Sequence, residues 1–525
     1  MPAPPTPEPC ASWWGELMAI AWCIALILLA PLAAALICAV VRHARAAEFL
    51  NLAAALLAFA ATLRLLPLSL GGPLYLLSNY IVVDPIGAWV LLCVASVYLL
   101  GSIYAIGYMR NVGEDARLHR FYALYAGFGF TTLACPFMNN VGVYWIAIEL
   151  TTLVSTFLVC FELDGESIEA AWKYIVVVSA GISLALLGTV LYYWGGSLVL
   201  GQTYDMTWQA LREAAPHLDR SIATASFLLV TIGFGTKVGL APMHTWLPDA
   251  HSEGPAPVSV MLSGALLNTA MIGIARYLQI SDAARLGPIP RTVVVALGVA
   301  SLFIAALFIV RQTNIKRLMA YSSIEHMGVL ALGFGFGGPL GIAGALYHML
   351  NHSLNKSLMF FGAGNAVQSW GSLEIKSIRE VPKRWGAPGW LWLAGAVAIT
   401  GAPPFGLFLS EIVILRAGLA SINGWAVFAM AVLLIVIFAG FLNHFRAMYF
   451  GRPAPGAAGT GPAPGRESRG PHTAGGGPLA PLRLWCVVPM WLAFIPLLVL
   501  GLWWPDAILR FFATAAASLG MGGGT

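Results

Sequence analysis

The chain has 525 residues, of which 59% are hydrophobic and 10% charged, with a formal net charge of +5. Soluble domains carry about 25% charged residues, so this composition excludes a water-soluble globular protein and points to one built within a bilayer. The small positive excess says nothing about nucleic acid; what matters is how the basic residues are shared among the loops.

The N-terminal MPAPPTPEPC is Pro-rich and acidic, unlike the basic region of a cleavable signal peptide, so the first apolar run reads as a retained helix. Fourteen hydrophobic runs follow in chain order. They lie at about 14–41, 47–69, 84–109, 119–138, 141–161, 168–194, 221–241, 255–279, 291–310, 317–337, 339–368, 388–415, 422–449 and 483–515. The last is long enough for a span plus a surface segment. The predicted fold is therefore an all-α polytopic membrane protein with about 14 transmembrane helices.

Loops after odd-numbered spans hold most of the basic residues. They carry Arg42 and Arg45; Arg110, Arg117 and Arg120; Arg311, Lys316 and Arg317; Lys376, Arg379, Lys383 and Arg384; then Arg446, Arg452, Arg466, Arg469 and Arg483. By the positive-inside rule these loops face the cytoplasm and both termini face outward. Residues 451–481 are Gly/Pro-rich and read as a flexible cytoplasmic loop, a spacer in preference to a partner-binding tether.

Spans 7 and 12 are interrupted alike, at GLAPMHTWLP around Pro242 and at TGAPPFGLF around Pro403 and Pro404. They lie five spans apart and so cross in opposite directions, the pattern of an inverted repeat with spans 4–8 and 9–13 as halves. The expected organisation is an N-terminal three-helix segment at 1–115, a first repeat at 116–282 and a second at 283–450. The loop at 451–481 then leads to helix 14 and the tail at 482–525.

A charge at bilayer depth costs about 2.5–3.5 kcal/mol on insertion scales and is by default a functional candidate. Lys237 stands inside span 7, just before its break. In series with it are Glu149 in span 5, Lys173 early in span 6, Glu325 and His326 in span 10, His348, His352 and Lys356 in span 11, and Glu411 in span 12. The span 11 trio has i, i+4, i+8 spacing, one helical stripe rising about 12 Å. Two imidazoles and an amine on one stripe suit a proton relay, because histidine titrates near neutrality and desolvated lysine gives up its proton readily. Glu149 and Lys237 are expected to form a charge pair whose separation would drive the lysine to release a proton.

Each residue also has a purely structural reading. Lys173 could snorkel to the surface, Glu325 and His326 could form a polar packing site, and Glu149–Lys237 could be a static pair, although such pairs stabilise poorly relative to apolar packing. His244, Asp249, His251 and Glu253 include ligand types, but their spacing matches no closed metal pattern. They read as a polar helix break with a water-accessible mouth, His244 standing within the proton pathway, and no metal site is expected. The seven cysteines are scattered without a CxxC pair, which excludes iron–sulfur and nickel sites in this chain.

KVGLAPMHTWLPDAHSEGPAPVSVMLSG, RQTNIKRLMAYSSIEHMG and HMLNHSLNKSLMFFGAGN strongly resemble the proton-conducting antiporter-like family over about residues 80–450. That family includes the large membrane subunits of respiratory complex I, subunits of multisubunit Na+/H+ antiporters and membrane subunits of energy-converting hydrogenases. AIELTTLVSTFLVCF, EAAWKYIVVVSAGISLALLGTVL and SSIEHMG look most like the hydrogenase-4-type component F of formate-hydrogenlyase-like complexes. The resemblance implies two five-helix half-channels, with carriers at Glu149, Lys237 and Glu411 and relay residues at Lys173, His348, His352 and Lys356. Where many members have a lysine in span 8, this chain has Asn268.

The expected function is a non-catalytic, proton-translocating subunit, or a Na+-translocating one, in a redox-driven complex. Nickel–iron and iron–sulfur centres would then belong only to partner subunits, a peripheral redox arm among them, and the setting would be a prokaryotic cytoplasmic membrane. Competing functions are a secondary Na+/H+ antiporter subunit, an energising subunit of an inorganic-carbon uptake complex, and a membrane anchor whose half-channels do not conduct.

Overall fold

The computed structural model describes residues 10–112, 115–201, 204–421, 423–451 and 482–518. It is almost entirely helical, as a bilayer requires of a chain that must satisfy its backbone hydrogen bonds within each segment. Two long helices, α1 (Cys10–Val40) and α2 (Ala44–Leu68), pack on each other. A short antiparallel pair, β1 (Leu74–Leu76) with β2 (Ile81–Val83), then leads into α3 (Pro85–Val112). Three-residue strands carry no readable alternation, so the sequence holds no sign of this hairpin.

The next elements are α4 (Asp115–Ala134), α5 (Val141–Val159), α6 (Gly165–Leu200), the short α7 (Trp208–Ala214) and α8 (Arg220–Val238). The starts of α5, α6, α7 and α8 are fixed by side-chain caps, which bind amide groups left free in a first turn. Asn140 caps α5 through Val143 N (3.1 Å), Asp164 caps α6 through Ser167 N (2.7 Å), and Asp219 caps α8 through Ser221 N and Ile222 N. Gly239 ends α8 at φ 79°, a left-handed position that glycine occupies without steric cost. The break runs to Thr245, where α9 (Trp246–Glu253) begins.

After α10 (Ala256–Met261), a single π-turn at Leu262–Leu266 opens into α11 (Leu267–Ala283). From Ala256 to Leu278 this stretch is buried. Then come α12 (Ile289–Val310), α13 (Ile315–Phe336) and α14 (Gly338–Trp370), followed by the short α15 (Val381–Trp385). Helix α16 (Ala387–Ile399) stops at the second break, and α17 (Gly406–Ala420) resumes beyond Pro403 and Pro404. Last are α18 (Gly424–Phe450), α19 (Leu484–Leu502) and α20 (Asp506–Ser518).

Helix α14 is the hub of the second half of the chain, packing against α3, α13, α16, α17, α19 and α20. A helix surrounded in this way has no solvent face, so its sequence need not be amphipathic. Helices coincide with all fourteen apolar runs, and the last run divides into α19 and the separate α20. Ten of the described helices are long and apolar enough to cross a membrane. Helices α4, α13 and α14, and the broken pair α16–α17, fall outside that count because they are polar or interrupted. The Gly/Pro-rich loop expected at 451–481 lies, apart from Gly451, outside the described residues.

Candidate functional site

In the first half, Lys237 occupies the last turn of α8 and is completely buried. Its ammonium donates to Thr152 Oγ1 on α5 (2.7 Å) and to the Tyr174 hydroxyl on α6 (3.0 Å). The Tyr174 hydroxyl also meets Ser155 Oγ at 2.8 Å, and its ring packs on Trp246 with centroids 4.7 Å apart. Trp246 in turn donates to the Thr236 carbonyl (2.8 Å), fastening α9 to the end of α8 across the break.

The expected Glu149–Lys237 ion pair is not formed. Glu149 is half-buried, and its carboxylate accepts from Ser179 Oγ (2.6 Å) and, more weakly, from Thr152 Oγ1 (3.5 Å). Thr152 lies one helical turn along α5 from Glu149, so its hydroxyl stands between the charges, accepting from the lysine and donating to the carboxylate. The two charges are bridged, not paired.

Lys173 does not join the buried series either. It is partly exposed at the start of α6 and pairs with Glu169 (2.5 Å) and Asp249 (3.7 Å). That is the arrangement of a lysine whose stem lies along the helix and whose head reaches a polar surface. Asp249 also binds Arg317. His244 and His251 are both buried, so the break does not present them to water as the sequence suggested. His251 instead stacks on Phe360 (4.9 Å), and Glu253 accepts from Ser252 (2.9 Å), so this quartet does not converge on one point.

The second half is more enclosed. Glu325 and His326 on α13, His348, His352 and Lys356 on α14, and Glu411 on α17 are all buried. Lys356 donates to the Met319 carbonyl (3.0 Å) and to Ser322 Oγ. Glu325, one turn from Ser322, is within electrostatic reach of Lys356. The facing ring nitrogens of His326 and His348 lie 3.1 Å apart, and His348 Nδ1 meets Ser410 Oγ at 2.9 Å. The His326 and His352 rings are 5.3 Å apart. Gly401, in the second break, holds φ 66°, and a Cβ there would run into the Glu411 carboxylate, so glycine both makes the turn and leaves room for the acid. Both nitrogens of His352, Nε2 of His326 and Oε1 of Glu411 are buried without a hydrogen-bond partner.

Between the halves lies a neutral polar seam. Asn268, just after the π-turn, donates to Ser353 Oγ (2.9 Å) and to the Gly264 carbonyl (3.1 Å). Ser353 donates to the same carbonyl (2.6 Å), and Ser263 meets Ser323 at 2.7 Å. Asn268 Oδ1 is buried and unpartnered. Sequence reasoning singles out Asn268 in this seam but not its serine partners, nor Thr152, Tyr174, Ser322 and Ser410. Their only signal is small hydroxyl residues inside apolar helices, as in AYSSIEH and NHSLNKS.

A buried lysine beside the first broken helix and a buried Glu/His/Lys series beside the second, in a polytopic helical protein, are the features of an antiporter-like membrane subunit. Residues 138–438, more than half of the chain, match the NADH:quinone oxidoreductase/Mrp antiporter transmembrane family, and the chain belongs to it. It is 36% identical over 404 residues to a hydrogenase-4 component F homolog of Methylacidiphilum infernorum, covering 74% of this chain and 83% of that protein. Among solved structures it is similar to a chain of an archaeal membrane-bound sulfane sulfur reductase, with a TM-score of 0.81 and 21% identity over 94% of this chain and 97% of that one. A chain of the Mrp complex from Dietzia sp. DQ12-45-1b gives 0.80 and 20%, over 95% and 97%. At those identities the two structures speak for the fold alone.

Proposed function

We propose that this chain is a proton-translocating subunit of a redox-driven membrane complex of the hydrogenase-4 or complex I kind. The observation that carries the reading is the buried second-half series, which runs from Lys356 and Ser322 through Glu325 to His326, His348, Ser410 and Glu411. Apolar packing would stabilise these helices better than buried ionisable groups do, so their presence is best explained by use. Imidazole, amine and carboxylate groups exchange protons, whereas a sodium path calls for oxygen ligands throughout. The relationship to a hydrogenase-4 component F homolog supports the choice of complex.

In this reading the fourteen helical runs are fourteen crossings and both termini face outward from a prokaryotic cytoplasmic membrane. Residues 1–115 form an N-terminal segment, 116–282 and 283–450 form inverted repeats, and 482–525 return the chain across the membrane. Lys237 serves the first repeat, with Glu149 as its counter-charge through Thr152; Lys356 and Glu411 serve the second. Redox centres reside in partner subunits, and this chain takes the energy through its membrane contacts.

The test is proton uptake by proteoliposomes holding the native complex. Lys237→Ala or Glu149→Ala is expected to abolish coupled proton movement while redox turnover with a soluble acceptor continues. His348→Ala with Lys356→Ala examines the second half separately. Undiminished pumping in all of these variants would refute the channel assignment.

A further inference from the structure

His326, His348 and Glu411 form a compact three-ligand group. One ligand atom from each lies within 4.8 Å of the others, and no other such group of His, Cys, Asp or Glu occurs among the described residues. We propose that His326, His348 and Glu411 bind one divalent transition-metal ion of the zinc type.

Three features of the group carry this. The first is spacing. Two imidazole nitrogens on one tetrahedral zinc, each about 2.0–2.1 Å from it, stand roughly 3.3 Å apart; here the facing nitrogens are 3.1 Å apart, so a small ring movement admits the ion. The second is the support behind the ligands. The Ser410 hydroxyl donates to the Leu407 carbonyl (2.7 Å), so its oxygen accepts from His348 Nδ1. That fixes the proton on Nδ1 and leaves the Nε2 lone pair facing the group, the arrangement usual in histidine that ligates metal. The third is unmet bonding capacity. Glu411 Oε1 is buried without a partner, as are both nitrogens of His352, whose ring is 5.3 Å from that of His326.

The donor set names the metal class. Two imidazoles and one carboxylate are the ligands of three-protein-ligand zinc sites that keep a fourth position open, whereas Mg2+ and Ca2+ take oxygen ligands. Bound there, the ion would occupy the atoms through which the second-half relay runs, so zinc is expected to block proton movement. That consequence, unlike the binding itself, rests on the proton-translocating reading.

The test uses the native complex, purified through a tag on this chain, treated with Zn2+ alone and then freed of excess metal. Retained zinc is compared between wild type and variants, which cancels metal held by partner subunits. We expect one extra zinc per chain in the wild type, with an X-ray absorption signature of two imidazoles and oxygen at about 2.0–2.2 Å. His348→Gln and Glu411→Gln should lose it. Ser410→Ala should weaken binding roughly 10- to 100-fold, with Ser410→Thr restoring it. Ser410→Ala also carries the test if a ligand variant fails to assemble. Equal zinc in the wild type and every variant, or a spectrum without imidazole, overturns the site. Zinc bound with this signature while proton movement continues would uphold the site and sink the relay. The reverse, proton movement lost in His348→Gln but no zinc retained by wild type, would sink the site and uphold the relay.

Discussion

Thr152→Val replaces the hydroxyl that joins the two charges of the first half with a methyl group of nearly the same shape. Lys237 is fully buried and has two side-chain acceptors, Thr152 Oγ1 at 2.7 Å and the Tyr174 hydroxyl at 3.0 Å. The substitution removes the shorter bond and also the 3.5 Å contact from Thr152 to Glu149. A hydrogen bond to a charged group contributes about 1.5–3 kcal/mol. If that stabilisation belongs to the charged lysine in the transfer cycle, its loss slows proton movement about 10- to 150-fold, since each 1.36 kcal/mol is a factor of ten. The assay is initial proton uptake by proteoliposomes holding the native complex, with turnover on a soluble acceptor as the control for assembly. Thr152→Ser keeps the hydroxyl and should pump close to wild type. Wild-type pumping in Thr152→Val would refute the bridge, as would a Thr152→Ser variant as defective as Thr152→Val.

Two further outcomes follow from the seam and from the second break. Asn268→Leu removes the donor to Ser353 and the free acceptor Oδ1 between the halves. Loss of about 1 kcal/mol of neutral hydrogen bonding predicts roughly fivefold slower proton uptake, with soluble-acceptor turnover unchanged; equal uptake would show that the halves work independently. Gly401→Ala and Gly371→Ala both place an alanine at positive φ (66° and 64°), and each should lose about 1–2 kcal/mol for that conformation. Only at Gly401 does the new Cβ meet the Glu411 carboxylate, whereas the space at Gly371 is open. Thermal unfolding of the detergent-solubilised complex should therefore show the larger loss at Gly401, accompanied by impaired pumping at that position alone.

The charged part of the site was legible because burying an ionisable group in an apolar helix is expensive enough to stand out against any background. Lys237, Glu325, His348, His352, Lys356 and Glu411 are all buried where the sequence pointed. Both helix breaks were legible for a related reason, since proline cannot continue a helix and glycine is costly within one. The hydroxyls were not. A serine or threonine within a spanning helix commonly bonds back to the carbonyl one turn earlier, as Thr62, Thr156 and Ser357 do here. Ser322 and Ser410 bond back in the same way, through the Met319 and Leu407 carbonyls, so nothing local shows that they and Thr152 also meet partners on other helices. Lys173 was misplaced because distance along a helix does not reveal where the polar surface begins; Glu169 and Asp249 hold it there. Hydropathy is least reliable at the site itself, since α13 and α14 carry the buried ionisable groups and for that reason look too polar to span.

The two halves of the chain bury their lysines in different surroundings. Lys237 draws on hydroxyls from α5 and α6, and its counter-charge, Glu149, is only half-buried. Lys356 is enclosed on all sides, and the histidines beyond it have more bonding capacity than the protein fills. Between them stands an amide. Asn268 can donate and accept hydrogen bonds, but it cannot hold a transferred proton at neutral pH. Its unpartnered Oδ1, beside a π-turn that loosens the helix, has the polarity to hold an ordered water. A proton could not rest on this residue, and the Asn268→Leu comparison decides whether the halves act in series or alone.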